Sequence, residues 1–230
     1  MSDEIHRLLS KHPINLQRTK EGKPPANVVL LRGCGIKVKA ESFNEKFNTK
    51  SISICPTAII GGICITIGME RVVPEGATGD YHSDLLVKSK SAYELLYKQG
   101  YEFCFLHVKG YDEAGHDMLL DERVKITRKI DEMIGDFMSR AKEEDEDCIV
   151  CITGDHSTPM YYGDHAFEPV PITITTKDAY NKKTKFFLAD ELTIFNEIEL
   201  AKGKLGRFAG RGLMPMIFKL RDRINLKGSE

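Results

Sequence analysis

The sequence predicts an α/β fold with a mostly parallel sheet and helices on its faces. Three observations carry this. Residues 101–109 and 148–153 are apolar stretches of the length and character of buried strands. Between them, Val124, Ile126, Ile130, Met133, Ile134, Phe137 and Met138 recur at helical spacing, which predicts a helix over residues 121–142. The order strand, helix, strand from residue 80 onward is that of parallel strands joined by crossovers.

The remaining elements follow from local chemistry. Residues 1–26 are polar, with a helix predicted over 2–10 and breaks at His12-Pro13 and Pro24-Pro25. Residues 27–31, Asn-Val-Val-Leu-Leu, read as a short buried strand running into Arg32-Gly-Cys-Gly35. Residues 51–55 read as a second strand, and residues 57–68 are apolar and rich in small side chains. Residues 71–74 lead into a glycine-bearing loop over 75–80. Residues 82–98 carry a helical pattern through Leu85, Leu86, Tyr93, Leu95 and Leu96. The acidic run 143–147 reads as a solvated turn, and residues 170–175 as a last strand. Residues 1–80 hold more Pro and Gly and shorter elements than residues 81–230, so a domain boundary is placed near residue 80.

At 230 residues the chain suits one large domain or two small ones. A hydrophobic content of 41% with 29% charged residues is that of a globular protein. A net charge of −1 and a pI near 6.7 argue against a generally basic nucleic-acid surface. No apolar run approaches the ~20 residues needed to span a bilayer, and residues 1–7 lack a signal-type apolar core. A cytoplasmic protein with no nucleic-acid or membrane partner is expected. The six cysteines sit mostly in apolar runs, as buried thiols do. Cys148 and Cys151 form a C-x-x-C, but three positions apart on a strand they face opposite sides. A redox pair or half of a zinc site is therefore not expected there.

The chemistry-bearing residues gather just past the two apolar strands. Asp112 and His116 are four apart, which on a helix puts both on one face. The pair could grip one ion, or be an N-cap aspartate beside an unrelated histidine. Asp155 and His156 follow Gly154 at the second strand's end, as ligands or as a capped turn with Ser157 and Thr158. His165 lies nine residues on, in a loop. In open α/β sheets ligands bind at the carboxyl ends of strands, and this mixed oxygen and nitrogen set suits Mn²⁺, Zn²⁺ and related ions. Two such ions side by side suit phosphoryl transfer. Arg32, between a strand end and glycines, could meet an anion or be a surface turn.

These residues lie in a set of motifs: His12-Pro-Ile-Asn15, Arg32-Gly-Cys-Gly35, Glu75-Gly-Ala-Thr-Gly79, Asp112-Glu-Ala-Gly-His-Asp117, Gly154-Asp-His-Ser-Thr-Pro159 and Asp164-His165. In this order they resemble the archaeal-type cofactor-independent phosphoglycerate mutases of the alkaline phosphatase superfamily. The resemblance runs from near the N-terminus to Leu213-Met-Pro215 and covers the C-terminal portion of such an enzyme.

The resemblance implies an alkaline phosphatase-like metal-binding domain over 81–230 and the end of an inserted substrate-binding domain over 1–80. It implies Asp112, His116 and His165 on one ion, Asp155 and His156 on a second, and Arg32 on a substrate phosphate or carboxylate. Two divalent ions are expected, Mn²⁺ by preference, with Mg²⁺, Co²⁺ or Zn²⁺ as alternatives. The implied reaction interconverts 2- and 3-phosphoglycerate in glycolysis through a phosphoserine. The family's nucleophilic serine and an Asp-Gly segment carrying a further ligand have no counterpart here. The chain alone is therefore expected to be weakly active or inactive, and to self-associate or associate with a missing N-terminal half. Two other readings stand beside this one: another phosphatase or phosphodiesterase of the superfamily, and a non-catalytic metal-binding protein.

Overall fold

The computed structural model describes residues 2–30, 33, 35, 36, 39–182 and 190–227. The backbone separates into two compact units, Met1–Lys39 and Ala40–Glu230.

The first unit holds two helices, α1 (Ser2–Ser10) and α2 (Pro13–Lys20). Pro13 starts α2 as well as breaking the chain before it: a first-turn residue needs no N–H, and the proline φ is already helical. The His12 ring caps this end, its Nδ1 accepting from Ile14 N at 3.3 Å. Asn15 is buried because its amide donates to Leu9 O and Ala26 O while accepting from Ala26 N. The strand expected over 27–31 does not form at residues 27–30, and Leu31 lies outside the described residues. A strand needs a ladder partner, and this unit has none among its described residues. Leu30 is 76% exposed.

The second unit is built on a parallel sheet. β1 (Ser51–Ile54) lies between β2 (Glu70–Val72) and β3 (Phe103–Leu106), with Ile52 level with Glu70 on one side and Cys104 on the other. All four β1 residues are buried. Ser51 and Ser53 are tolerated there because their hydroxyls donate to Asn44 Oδ1 and Glu70 O. Ile52 and Ile54 pack with Ala92, Leu95, Leu106 and Phe137 in the core. Fully burying a side chain such as Ile54 contributes about 1.5–3 kcal/mol. The apolar 57–68 stretch becomes α4 (Ala58–Thr66), which links β1 to β2. The helical pattern of 82–98 becomes α5 (Leu86–Tyr93) running into a π-helical turn, Glu94–Lys98. β1 and β2 precede residue 80 yet share one sheet with β3, so that position falls inside the second unit.

After β3 come α6 (Gly110–His116) and the long α7 (Leu120–Ala141), which buries Ile126, Met133, Met138 and Ala141. A Cβ on Gly110 would lie 2.7 Å from Asp80 O and Tyr81 Cα, so the loop backbone packs directly on the first turn of α6.

β4 (Ile149–Thr153) and β5 (Ile172–Thr176) form a separate two-stranded sheet and run antiparallel. The mostly parallel α/β architecture expected from the sequence is present in the β2-β1-β3 sheet, and this pair is its antiparallel exception. The physical reason is the connection: residues 154–171 contain no helix, and an antiparallel return needs no crossover. α8 (Lys177–Tyr180) follows β5, then α9 (Glu197–Leu200) and α10 (Leu213–Lys227). Phe218 of α10 stacks on Phe47 of the short helix α3 (Phe43–Phe47) at 4.4 Å between centroids. Among the described residues no helix is long and apolar enough to cross a membrane.

Candidate metal centre

Two chain segments meet beyond the carboxyl ends of β3 and β4. α6 carries Asp112 and His116 one turn apart, as their spacing predicts. The 154–166 loop carries Asp155, His156, Thr158, Asp164 and His165. The segments are tied together by Thr158 Oγ1, which donates to Asp112 Oδ1 at 2.5 Å, and by Arg123 Nη1, which donates to Thr158 O at 2.6 Å. Gly115 faces Thr158 so closely that a Cβ would meet its carbonyl at 3.0 Å. Small residues on both sides allow the approach.

Asp112 is the hub, with its side chain only 13% exposed. Its carboxylate lies 3.4 Å from His116 Nε2, 3.6 Å from His165 Nε2 and 3.9 Å from His156 Nδ1. His116 Nε2 and His165 Nε2 are 3.1 Å apart. Bonds of about 2.0–2.1 Å set neighbouring ligand atoms roughly 2.8–3.0 Å apart on an octahedral ion and roughly 3.3–3.4 Å apart on a tetrahedral one. The 3.1 and 3.4 Å separations lie within that span, while the 3.6 and 3.9 Å separations of Asp112 from His165 and His156 exceed it.

The tautomers suit the same purpose. His116 Nδ1 lies 2.9 Å from Gly163 O, which can only accept. The proton therefore belongs on Nδ1, and the Nε2 lone pair is directed at His165 and Asp112. Gly163 adopts φ +68°, the left-handed region that favours glycine, and so presents that carbonyl without strain.

Electrostatics keep Asp112 ionised. Burial pushes its carboxyl up, but hydrogen bonds from Lys109 and Thr158 outweigh it and the net shift is downward. Lys109, the residue preceding α6, forms an ion pair with Asp112 Oδ2. Burial also lowers His107, opposed by the Asp155 charge.

The structure thus brings Asp112, His116, His156 and His165 together, with Asp155 Oδ2 3.3 Å from His156 Nε2 at the rim. Ligand atoms cluster in two overlapping sets, Asp112 with His156 and His165, and His116 with Asp164 and His165. Asp164 was not singled out as a ligand in the sequence, although an acidic residue beside a histidine was a visible signal. Thr158 carried no such signal, because its part depends on the meeting of two distant segments, whereas Lys109 lies three positions before Asp112. Arg32 lies outside the described residues.

Residues 25–220 match the model of the metalloenzyme superfamily. A 2,3-bisphosphoglycerate-independent phosphoglycerate mutase from Methanocaldococcus jannaschii is 38% identical over 219 residues, which is 95% of this chain and 50% of that protein. One from Thermococcus kodakarensis is 37% identical over 224 residues, 96% of this chain and 51% of that protein. A solved structure of a Pyrococcus horikoshii protein superposes with a TM-score of 0.80 at 36% identity, covering 96% of this chain and 55% of that one. The chain thus spans about half the length of the relatives it matches.

Proposed function

This chain belongs to the metalloenzyme superfamily, and on that premise we propose that it is the metal-binding, C-terminal portion of a 2,3-bisphosphoglycerate-independent phosphoglycerate mutase. In this reading Asp112, His116 and His165 hold one divalent ion, and Asp155 and His156 contribute to a second. Arg32 grips a phosphate or carboxylate of the phosphoglycerate. The substrate-binding part lies on the N-terminal side, up to about residue 80, and the metal-binding part after it. The observation that supports the reading is the convergence of Asp112, His116, His156 and His165 past the ends of β3 and β4, their ligand atoms falling in two overlapping sets, Asp112 with His156 and His165 and His116 with Asp164 and His165.

A bound divalent ion supplies Lewis-acid stabilisation of charge on phosphoryl oxygens. The chain's own part is to hold Asp112 ionised through Lys109 and Thr158, to hold His116 with its Nε2 lone pair inward, and to keep His165 beside it. Mn²⁺ is the proposed ion, from the mixed oxygen and imidazole donors, with Mg²⁺, Co²⁺ and Zn²⁺ as the alternatives. The cytoplasm is the proposed compartment, a reading supported by the free thiols of Cys55, Cys64, Cys104, Cys148 and Cys151 among the described residues.

Metal content of the purified chain, compared with Asp112→Asn and His165→Asn, tests the site. Both replacements should abolish stoichiometric binding, and unchanged content in both defeats the assignment. A mutase assay tests the division of labour: the chain alone should turn over 3-phosphoglycerate weakly or not at all. Robust turnover would sink the claim that catalysis needs a further segment.

A further inference from the structure

Asp164 stands between two residues that touch the His116 ring. On one side Gly163 O lies 2.9 Å from His116 Nδ1, and on the other His165 Nε2 lies 3.1 Å from His116 Nε2. The loop that carries all three is closed by the Ser157–Ala166 bridge, where Ala166 N donates to Ser157 O at 3.0 Å. Inside it Tyr162 N and Gly163 N both donate to Pro159 O, at 3.0 and 2.9 Å. A carboxylate on so short a loop, between two such anchors, is held close to the histidine pair. An oxygen of Asp164 and ring nitrogens of His116 and His165 all lie within 4.8 Å of one another.

The two carboxylates near His116 differ in what already holds them. Asp112 Oδ2 pairs with the Lys109 ammonium, and Asp112 Oδ1 accepts from Thr158 Oγ1 at 2.5 Å. Asp164 Oδ1 accepts from His165 N at 2.7 Å, which orients the side chain. Asp164 Oδ2 has no hydrogen-bond or ion-pair partner among the described residues. Asp164 thus brings the histidine pair a negative charge that no described cation compensates. Two imidazoles and one carboxylate form a donor set that holds first-row dications and leaves positions open for water or a substrate oxygen.

We propose that Asp164 is a further ligand of the divalent ion held by His116 and His165, completing with them a two-histidine, one-carboxylate site. The inference rests on the proposed metal site and adds a ligand to it. His165 N–H keeps Oδ1, and Oδ2 is the oxygen offered to the ion. The ammonium on Asp112 Oδ2 opposes a dication there, and the free charge of Asp164 offsets that repulsion.

The test is Asp164→Asn in the full chain, which keeps an oxygen for His165 N and removes the charged ligand. Asp164 is exposed, so the replacement leaves the core untouched. Calorimetry with Mn²⁺ and visible absorption with Co²⁺ are read on the wild type, Asp164→Asn, Asp112→Asn and His165→Asn. Asp164→Asn should weaken Mn²⁺ binding by about tenfold or more. At saturating Co²⁺ it should also change the ligand-field bands, because water replaces a carboxylate. Unchanged affinity overturns the proposal and leaves Asp164 as a cap of its loop. Weaker affinity with unchanged bands at saturation also overturns it, since a charge acting through space leaves the coordination alone. Loss of binding in His165→Asn beside wild-type behaviour of Asp164→Asn fails this inference and leaves the metal site standing. A wild type that binds neither ion fails both. Weakened binding and altered bands in Asp164→Asn, beside unchanged binding in Asp112→Asn, support Asp164 and remove Asp112 from the ligands.

Discussion

Lys109 Nζ rests on Asp112 Oδ2, the same carboxylate oxygen that lies 3.4 Å from His116 Nε2. An ammonium therefore sits where a dication bound by Asp112 and His116 would feel it. Like charges a few ångströms apart repel, even with partial solvent screening. Lys109→Met should tighten Mn²⁺ binding by about tenfold in calorimetry. Unchanged or weaker binding would mean that Lys109 serves to orient Asp112 and that its charge does not oppose the ion.

Gly163 serves the site through its backbone. Its φ of +68° disfavours any side chain there, and its carbonyl accepts from the His116 ring. Gly163→Ala should cost about 1–2 kcal/mol in urea unfolding and weaken metal binding by about tenfold through the loosened histidine. A loss of stability with metal affinity intact would show that the carbonyl has no part in setting that ring.

Lys177 is fully buried at the end of β5 and donates to Glu144 O and Glu146 O at 2.5 and 2.9 Å. The acidic turn read from the sequence as merely solvated is therefore held by a buried ammonium. Lys177→Met removes both donors and should destabilise the chain by about 2–4 kcal/mol. A change of a few tenths in the urea midpoint analysis would contradict that role.

Lys88 is buried and donates to His107 O at 2.9 Å, and burial holds its pKa below the usual range. The unfolded chain, with a lysine pKa of about 10.4, binds the Lys88 proton more tightly than the native one. Where the unfolded state holds more protons, stability rises with pH. From the lowered native value up to about 10.4, the wild type should therefore gain stability relative to Lys88→Met. Urea midpoints of both proteins from neutral to alkaline pH give the comparison, and parallel curves would refute the shift.

Much of this protein was legible in the sequence because its signals are local. The helix over 121–142, the strands at 51–55, 101–109 and 148–153, and the one-turn spacing of Asp112 and His116 all depend on periodicity and on residues next to one another. Each corresponds to an element of the structure within a few positions. The strand over 27–31 failed because a ladder needs a partner elsewhere in the chain, which composition does not reveal. The β4–β5 pair likewise took its direction from the path of the intervening loop. Only the tertiary structure decided that Thr158 donates to Asp112, that Gly163 O meets His116 Nδ1, and that His165 comes beside His116. Each of these joins residues more than forty positions apart, and no local preference encodes such a distance.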